Sequence, residues 1–390
     1  MHDVLAGYVD RREVPGLVSL VSRREDVHVD AIGTKALGGG DPVRRDTIFR
    51  IASMTKPVTA VAALILVEEG RLRLDDPVDP LLPELAERRV LKSIDAQVGD
   101  TVPATRPLTA RDLLTFLMGF GLVMARPGTY PIQAALEAAG LAPGPPRPGQ
   151  DPPPDEWMRR LGSLPLMYQP GERWLYNTGS DVLGVLIARA AGRPFDEFLR
   201  ERIFEPLGMQ DTGFSVPAAK IDRLATSYLT SWQTGALELY DEAVAGQWSR
   251  PPAFPSGAGG LVSTADDFLA FGQMLLNGGR LGSVRILSRP SVEAMTTDQL
   301  TSAQKSVSSL VPGYFDSHGW GFGVSIVTRR DEIASTPGKY GWDGGLGTSW
   351  STDPAEQMVT ILLTQAAWTS PSPPAVCRDF WTLAYSAIDD

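Results

Sequence analysis

The sequence contains little cysteine and little histidine, and both shortages restrict its chemistry. Its single cysteine, Cys377, excludes an internal disulfide and a thiolate metal cluster, so we expect a buried apolar residue in the last helix. The three histidines, His2, His28 and His318, are scattered without the spacing of metal ligands on a helix. A structural zinc or a histidine-rich metal site is therefore not expected.

Long apolar runs are also missing. No stretch reaches the roughly 18 apolar residues that a membrane-spanning helix needs. Residues 1–20 lack the basic start and apolar run of a signal peptide, so we expect a cytoplasmic protein. The net charge of −10 argues against nucleic acid or an anionic membrane as partners, because both would repel such a surface. A small molecule is the expected partner.

Strand-like patterns occur at both ends of the chain. Residues 16–37 read as a hairpin around a polar turn, and β-rich runs with turn signals return from Trp320 onwards. The middle of the chain instead carries capped helical patterns that end at glycines. We therefore predict the α/β class, of the α+β type: one antiparallel sheet built from both ends, flanked by helices, with a cleft beside a helical region.

These patterns divide the chain into two predicted regions. The sheet region is discontinuous and comprises residues 1–75 and 285–390, whereas residues 76–284 form a mainly helical region. Within the latter, residues 143–154 read "PGPPRPGQDPPP". Such a density of proline is incompatible with regular structure, so it predicts a surface loop or a lid over the cleft.

A serine and a lysine stand three residues apart where a long apolar helix is predicted to begin. In "FRIASMTKPVTAVAALILVEEG" a short strand precedes Ser53, and Lys56 shares its helix face. A chain of this length contains about one Ser-x-x-Lys by chance. Ser302 and Lys305 have the same spacing in a polar stretch without the strand-turn-helix context, and they are interpreted as surface residues. Ser53 is either a plain helix cap or a nucleophile.

Lysine is the best available base for such a nucleophile. None of the histidines lies in a recognisable motif, and no Gly-x-Ser-x-Gly elbow occurs, so an α/β-hydrolase site has no support. Burial can lower the pKa of a lysine towards neutrality, which would let Lys56 take the Ser53 proton. A helix start also offers free N–H groups to a developing oxyanion.

Four segments carry a family resemblance, and together they cover most of the chain. They include the Ser53 helix, "QPGERWLYNTGSD", "SGAGGLVSTADD" and "YGWDGGLGTSWSTDP". In this order they resemble the serine hydrolases of the class C β-lactamase and penicillin-binding-protein-like superfamily. Within it they are most similar to the family VIII carboxylesterases. The resemblance implies a β-lactamase/DD-peptidase-like fold that needs no metal or organic cofactor.

The resemblance also implies a Ser-Lys-Tyr site. Ser53 matches the acylated serine, Lys56 the lysine of the first motif and Tyr176 the tyrosine of the second. The backbone N–H groups of Ser53 and Gly345 are the implied oxyanion hole. A phenol beside an ammonium can have its pKa lowered from about 10, so we expect Tyr176 to shuttle protons at a reduced pKa.

The second motif departs from the pattern of relatives. Lactamases carry Tyr-x-Asn, whereas here Asn177 comes one place early and Thr178 holds the third position. Thr178 is therefore a predicted substrate-binding residue, while the amide that contacts an acylamido group in relatives has no counterpart at this position.

The third motif departs further. Lactamases have Lys-Thr-Gly on the strand beside the cleft, and here Trp342, Asp343 and Gly344 occupy these places. Backbone oxyanion donors survive such substitutions, but a cation for a substrate carboxylate does not. Trp342 offers a flat apolar wall that suits an uncharged ester, and all three residues are predicted to bind substrate.

Further aromatic residues are candidates for the cleft wall. The apolar segment 116–120 is interpreted chiefly as packing, with Phe120 as a candidate for an acyl or alcohol pocket. Three tryptophans, Trp232, Trp248 and Trp320, could also line the cleft.

The sequence thus predicts a serine carboxylesterase that acts through an acyl-enzyme. Three alternatives stay open. The same scaffold could hydrolyse β-lactams or small amides, or transfer its acyl group to an alcohol or amine. It could be a non-catalytic sensor that acylates once, or an ordinary scaffold with Ser53 as a cap. The sequence indicates neither the natural substrate nor the oligomeric state.

Overall fold

The strand-like runs at the two ends of the chain pair with each other in a single sheet. The computed structural model describes residues 1–231 and 233–389. The strands within them are β1 (Gly16–Arg23), β2 (Asp26–Gly33), β3 (Phe49–Arg50), β4 (Arg89–Leu91), β5 (Thr101–Pro103), β6 (Ser227–Thr230), β7 (Leu237–Asp241), β8 (Val262–Ser263), β9 (Arg280–Leu281), β10 (Val284–Arg285), β11 (His318–Trp320), β12 (Ser325–Val327), β13 (Tyr340–Gly344), β14 (Thr348–Asp353) and β15 (Met358–Thr364).

Helices precede, interrupt and follow these strands. They are α1 (His2–Asp10), α2 (Thr55–Glu68), α3 (Ala110–Leu114), α4 (Pro131–Ala138), α5 (Pro154–Gly162), α6 (Thr178–Ala191), α7 (Phe195–Leu199), α8 (Glu205–Leu207), α9 (Ala265–Leu276), α10 (Arg289–Met295), α11 (Ser302–Ser306), α12 (Tyr314–Ser317) and α13 (Ala375–Ser386). A π-helical turn, Arg200–Phe204, joins α7 to α8, and a 3₁₀ turn, Ala52–Met54, leads into α2.

The main sheet has seven antiparallel strands in the order β11-β12-β13-β14-β15-β1-β2. The N-terminal hairpin joins the C-terminal strands through β1 and β15, whose register places Leu17 opposite Thr364. All seven residues of β15 are buried, as expected for a strand covered on both faces. The predicted fold class, an antiparallel sheet from both chain ends with flanking helices, is confirmed.

Helices cover both faces of this sheet. On one side α1 and α13 pack together, and Cys377 is buried there beside Phe380 as the sequence predicted. On the other side α9 packs against β14 and β15. The predicted division into a sheet region and a region of residues 76–284 stays a prediction; α9, from the second of these, lies directly on the sheet.

Helix α2 is buried almost all round because its sequence is almost entirely apolar. Every residue from Thr55 to Leu66 is buried. Gly70, with φ +68°, follows its last turn in the left-handed conformation that glycine tolerates best. Among the described residues, no helix has both the length and the hydropathy needed to cross a bilayer. The cytoplasmic location stays a prediction.

A short strand pair fixes the chain that enters α2. Strand β3 pairs with β8, and the Ile51 N–H then donates to the Leu261 carbonyl (3.0 Å). Within β3 the Arg50 guanidinium is buried and bonds the Asp241 carboxylate, with Nε at 2.9 Å. This ion pair holds the backbone three residues before Ser53.

We expect Asp241→Asn to destabilise the protein strongly. Loss of the carboxylate charge leaves the buried Arg50 guanidinium without its counterion, at a cost of about 3 kcal/mol or more in the free energy of unfolding. Urea unfolding should be compared with Asp266→Asn, which breaks the half-exposed pair with Arg45 and should cost less than about 1 kcal/mol. Equal losses in the two variants would contradict a structural role for the buried pair.

Candidate active site

Ser53 and Lys56 lie side by side where the 3₁₀ turn passes into α2. The Lys56 Nζ donates to the Ser53 Oγ (2.9 Å) and to the Ala258 carbonyl (2.7 Å). Ser53 is partly accessible, whereas Lys56 is only 1% exposed. Ala52, just before the serine, has φ +43°, a conformation that costs energy for a residue with a Cβ and that recurs at functional sites.

Burial changes the acid-base behaviour of Lys56. Removal of its ammonium from water lowers the pKa to about 7, and the negative charge of Asp181 acts in the opposite direction. About half of the lysine is therefore neutral near pH 7. A neutral amine within hydrogen-bond distance of a serine hydroxyl can act as its base.

Tyr176 completes the group. Lys56 Nζ lies 4.5 Å from the centroid of its ring, and its hydroxyl oxygen accepts a hydrogen bond from the Trp342 indole (2.7 Å). The chain turns sharply after it, because Asn177 adopts φ +87° and ψ −69°, the rare classic γ-turn conformation. Asparagine tolerates positive φ better than most residues, which gives a structural reason for its early place in this motif.

The expected lowering of the Tyr176 pKa is wrong. Burial raises the pKa of this phenol above its usual value, and hydrogen bonds with Ser53 and Trp342 only partly offset the effect. A neighbouring ammonium would lower the pKa of the phenol, but burial lowers the pKa of Lys56 to about 7, so this amine has lost its charge before a phenol begins to ionise. Tyr176 is thus a protonated phenol across the physiological range.

An aromatic cluster surrounds the phenol. Phe116 meets the Tyr176 ring edge-on (5.6 Å between centroids) and Trp174 stacks on it (5.7 Å). Trp320 and Trp342 close the cluster at 4.7 Å from each other. Trp342 is 8% exposed, so most of the expected wall is turned towards Tyr176. The sequence predicted packing for the segment that contains Phe116, but the contacts of Phe116 and Trp174 with Tyr176 were not predicted, because they depend on tertiary structure.

The glycines after Trp342 lie against the chain that enters Ser53. A Cβ on Gly344 would lie 2.2 Å from the Ile51 carbonyl oxygen, so only glycine allows this approach. Thr348 also donates to that carbonyl (3.1 Å). Gly345 follows at an exposed turn, and its oxyanion-hole role stays a prediction.

Asp343 is engaged within the protein. Its side chain hydrogen-bonds Ser349, its cross-strand partner, whose hydroxyl also accepts from the Trp381 indole (3.2 Å). Burial raises the pKa of Asp343 to about 6. A contact between Asp343 and substrate stays a prediction.

A cavity of about 560 Å³ reaches Ser53. Phe120 and Thr178, both predicted from the sequence, line it, as do Leu141, Trp157 and Phe254. Its lining is mixed, because charged side chains such as Glu137, Arg147 and Arg160 stand beside these apolar ones. Of the three tryptophans considered, Trp320 lies in the aromatic cluster, Trp248 is buried with its indole on the Gly260 carbonyl (2.8 Å), and Trp232 lies outside the described residues.

The proline-rich loop forms one wall of this cavity. Residues 143–153 contain neither helix nor strand, and α5 begins at Pro154. A Cβ on Gly259 would lie 3.0 Å from the Pro146 ring and 3.8 Å from the Ala52 carbonyl carbon, so the loop reaches the floor beside Ser53. The Tyr240 hydroxyl donates to the Pro146 carbonyl and holds the loop there.

Asp181 is a polar residue of the site that the sequence did not reveal. It stands in the first turn of α6, where an acid reads as an ordinary partner of the helix dipole. Its Oδ1 instead accepts from the Ser256 hydroxyl (2.6 Å) and the Ala258 N–H (3.1 Å), and burial raises its pKa. The only sequence signal was its place in the "YNTGSD" segment.

Ser302 and Lys305 have the same spacing as Ser53 and Lys56 but a different environment. Thr301 caps the short helix α11, which has no buried residue, and Lys305 pairs with Asp298. No group of three or more histidine, cysteine, aspartate or glutamate residues with metal-binding geometry occurs in the described part of the chain.

The chain is similar to known proteins over most of its length. The Beta-lactamase family model matches residues 1–375. The protein Rv1367c of Mycobacterium tuberculosis is 39% identical over 358 residues, covering 90% of this chain and 85% of the relative. Esterase EstB of Burkholderia gladioli is 32% identical over 385 residues, covering 93% and 89%.

Solved structures show the same fold. EstCE1, described as a hydrolase with promiscuous acyltransferase activity, superposes with a TM-score of 0.78 at 24% identity, covering 98% of this chain and 97% of the other. Unliganded simvastatin synthase (LovD) of Aspergillus terreus gives a TM-score of 0.76 at 23% identity, covering 99% and 96%. Because the family model matches residues 1–375 and the relatives and the fold agree with it, the chain belongs to the Beta-lactamase family.

Proposed function

We propose that this protein is a serine carboxylesterase of the family VIII type, which forms an acyl-enzyme on Ser53. The observation that carries the proposal is the buried Lys56 amine, with a pKa of about 7, at 2.9 Å from the Ser53 hydroxyl. The esterase named among the relatives supports this reaction class.

Acylation begins with the Ser53 proton. Neutral Lys56 takes it while the serine oxygen attacks the ester carbonyl carbon, and the carbonyl electron pair moves onto oxygen. The backbone N–H groups of Ser53 and Gly345 are the proposed donors to this oxyanion. Both are main-chain groups, so the loss of the lactamase Lys-Thr-Gly side chains leaves them in place.

Collapse of the intermediate requires a proton for the leaving alkoxide. Tyr176, kept protonated by burial, is the proposed donor, and the Lys56 ammonium returns a proton to it. Water then attacks the acyl-enzyme by the reverse sequence, with Lys56 as the base again. The proton therefore passes from serine to lysine to tyrosine to the alcohol, and no cofactor takes part.

The cleft favours an uncharged ester over a penicillin. The place of the lactamase lysine is taken by Trp342, whose indole N–H is already bonded to Tyr176. The substrate carboxylate of a β-lactam thus lacks its usual cation at this strand. We propose that Phe120 and Thr178 contact the acyl or alcohol part, since both line the cavity.

Acyl transfer to an alcohol is the second candidate. The relatives include an acyltransferase, calJ of Penicillium decumbens, 26% identical over 421 residues, with 100% of this chain covered. The same acyl-enzyme would serve both reactions, and the competition between water and an alcohol in the 560 Å³ cavity would decide the product.

Ser53→Ala should abolish hydrolysis of p-nitrophenyl acetate and butyrate, because it removes the hydroxyl that is hydrogen-bonded to Lys56 and is the proposed nucleophile. We expect a fall in kcat/KM of at least about 10³-fold and no acyl adduct by intact mass after seconds of mixing. Ser302→Ala, the matched serine of the second Ser-x-x-Lys, should behave as wild type. An unchanged Ser53→Ala would refute the assignment, and an adduct on Ser53 that never turns over would indicate a sensor.

The pH dependence of kcat/KM should report Lys56. Since the neutral amine is the reactive form and its pKa is about 7, the rate should rise about tenfold per pH unit below 7 and level off above it. Tyr176 stays protonated, so no fall from this phenol is expected up to about pH 9. A rate that keeps rising towards pH 10 would show a lysine with an ordinary pKa.

Tyr240→Phe should widen the range of accepted esters. The change removes the hydrogen bond that holds the Pro146 wall beside Ser53, so longer acyl chains should gain kcat/KM relative to acetate. A series of p-nitrophenyl esters from acetate to decanoate measures the effect. Tyr228→Phe is the control, because its hydroxyl accepts from the Leu37 N–H and does not hold this loop. Identical chain-length profiles would contradict the role of the loop as a size limit.

A further inference from the structure

Asp181 connects two elements that meet only at the candidate site. It lies on α6, four residues after Asn177, yet its carboxylate bonds a turn about 75 residues away in the chain. An acid in a first helical turn usually faces water and the free N–H groups of its own helix. This one lines the cavity and bonds Ser256 and Ala258 instead.

The turn 256–259 is fixed on the side of α6. Asp181 accepts from the Ser256 hydroxyl (2.6 Å) and the Ala258 N–H (3.1 Å), and the Ser256 Oγ also accepts from the Gly259 N–H (3.1 Å). A Cβ on Gly257 would lie 2.4 Å from the Ser180 carbonyl oxygen. The turn therefore sits in direct backbone contact with α6, and Asp181 is its side-chain anchor.

The opposite side of the same turn holds α2. The Ala258 carbonyl accepts from the Lys56 Nζ (2.7 Å), and the Gly257 carbonyl accepts from the Thr59 hydroxyl (2.8 Å). The Leu261 N–H donates to the Thr55 hydroxyl (3.1 Å). One residue, Ala258, thus bonds Asp181 through its N–H and Lys56 through its carbonyl.

We propose that Asp181 is a positioning residue for Lys56: it anchors the turn whose Ala258 carbonyl orients the amine towards Ser53, and it supplies the negative charge facing that amine. The inference rests on the proposed acyl-enzyme chemistry and assigns a role to a residue outside the Ser-Lys-Tyr set. Asp181 does not contact the reacting atoms, so its effect passes through Lys56.

The charges around this pair determine the direction of the effect. Lys56 faces Asp181 and the ring of Tyr176, and Asp181 faces Lys56 and Asp151 of the proline-rich loop. Asp151 in turn faces Arg147. Because an ionised Asp181 favours the ammonium form, it raises the pKa of Lys56 against the opposite effect of burial. Without this charge the lysine would be neutral at lower pH and a weaker base.

Asp181→Asn separates charge from geometry. The amide oxygen still accepts from Ser256 and Ala258, but the negative charge is gone. We expect the acidic limb of kcat/KM for p-nitrophenyl acetate to move to lower pH by about one unit, so that the ratio of kcat/KM at pH 5.5 to that at pH 8.5 rises about tenfold. The plateau at pH 8.5 should fall several-fold, mainly in kcat, because a weaker base removes the serine proton less readily.

Ser256→Ala tests the geometry. It keeps the charge of Asp181 but removes one of its two contacts with the turn. The acylation rate measured by stopped flow should therefore fall several-fold at every pH, and the ratio between pH 5.5 and 8.5 should stay closer to wild type than in Asp181→Asn.

Asp267→Asn is the matched control. Asp267 is likewise a buried first-turn acid, on α9, and accepts from a backbone N–H (Asp211, 2.7 Å) and a hydroxyl (Thr212, 2.8 Å). It should lose comparable stability in urea without any shift of the pH profile. An unshifted limb in Asp181→Asn, or equal shifts in both variants, would overturn the inference.

The outcomes also separate this inference from the proposed function. If wild type forms no adduct on Ser53, the acyl-enzyme proposal itself fails. If wild type acylates Ser53 and Asp181→Asn keeps the wild-type limb, only the role of Asp181 fails. Should Asp181→Asn not fold, an unchanged acylation rate in folded Ser256→Ala would contradict the anchoring role.

Discussion

The burial of one amine is the constraint on which the rest of the site depends. A lysine in the interior is costly unless its nitrogen finds hydrogen-bond acceptors, and Lys56 finds them in Ser53 and the Ala258 carbonyl. The desolvation that makes it costly also brings its pKa to about 7. Packing therefore brings the pKa of the proposed base close to neutrality.

Several elements hold the chain in unfavourable or crowded conformations around this amine. Ala52 and Asn177, the chain neighbours of Ser53 and Tyr176, have positive φ, and Gly344 lies against the Ile51 carbonyl. The chain before Ala52 is held by contacts with residues distant in the sequence, such as the buried Arg50–Asp241 pair. Strain of this kind persists only where the surroundings determine the backbone several times over.

Burial shifts the pKa values of the two proposed proton-transfer groups, Lys56 and Tyr176, in opposite directions. It lowers the pKa of Lys56 and raises that of Tyr176, so that one group is a base and the other an acid over the same pH range. The aromatic cluster packs against the phenol, with Trp174 stacked on its ring and the Trp342 indole bonded to its hydroxyl. Both shifts arise because burial disfavours the charged form. The charged form is the protonated one for lysine and the deprotonated one for tyrosine, so the two pKa values move in opposite directions.

Local patterns in the sequence were enough to predict the strands at both ends of the chain, the buried helix α2, and the Ser53–Lys56 pair on one helix face; the pairing of β1 with β15 was an inference from fold class. Tyr176 came from the family resemblance. Tertiary structure decided the contacts between distant residues, such as Trp342 with Tyr176, 166 residues apart, and Asp181 with Ala258, 77 apart. It also decided the direction of the Tyr176 pKa shift, because burial depends on packing from all sides, and no local pattern records that packing.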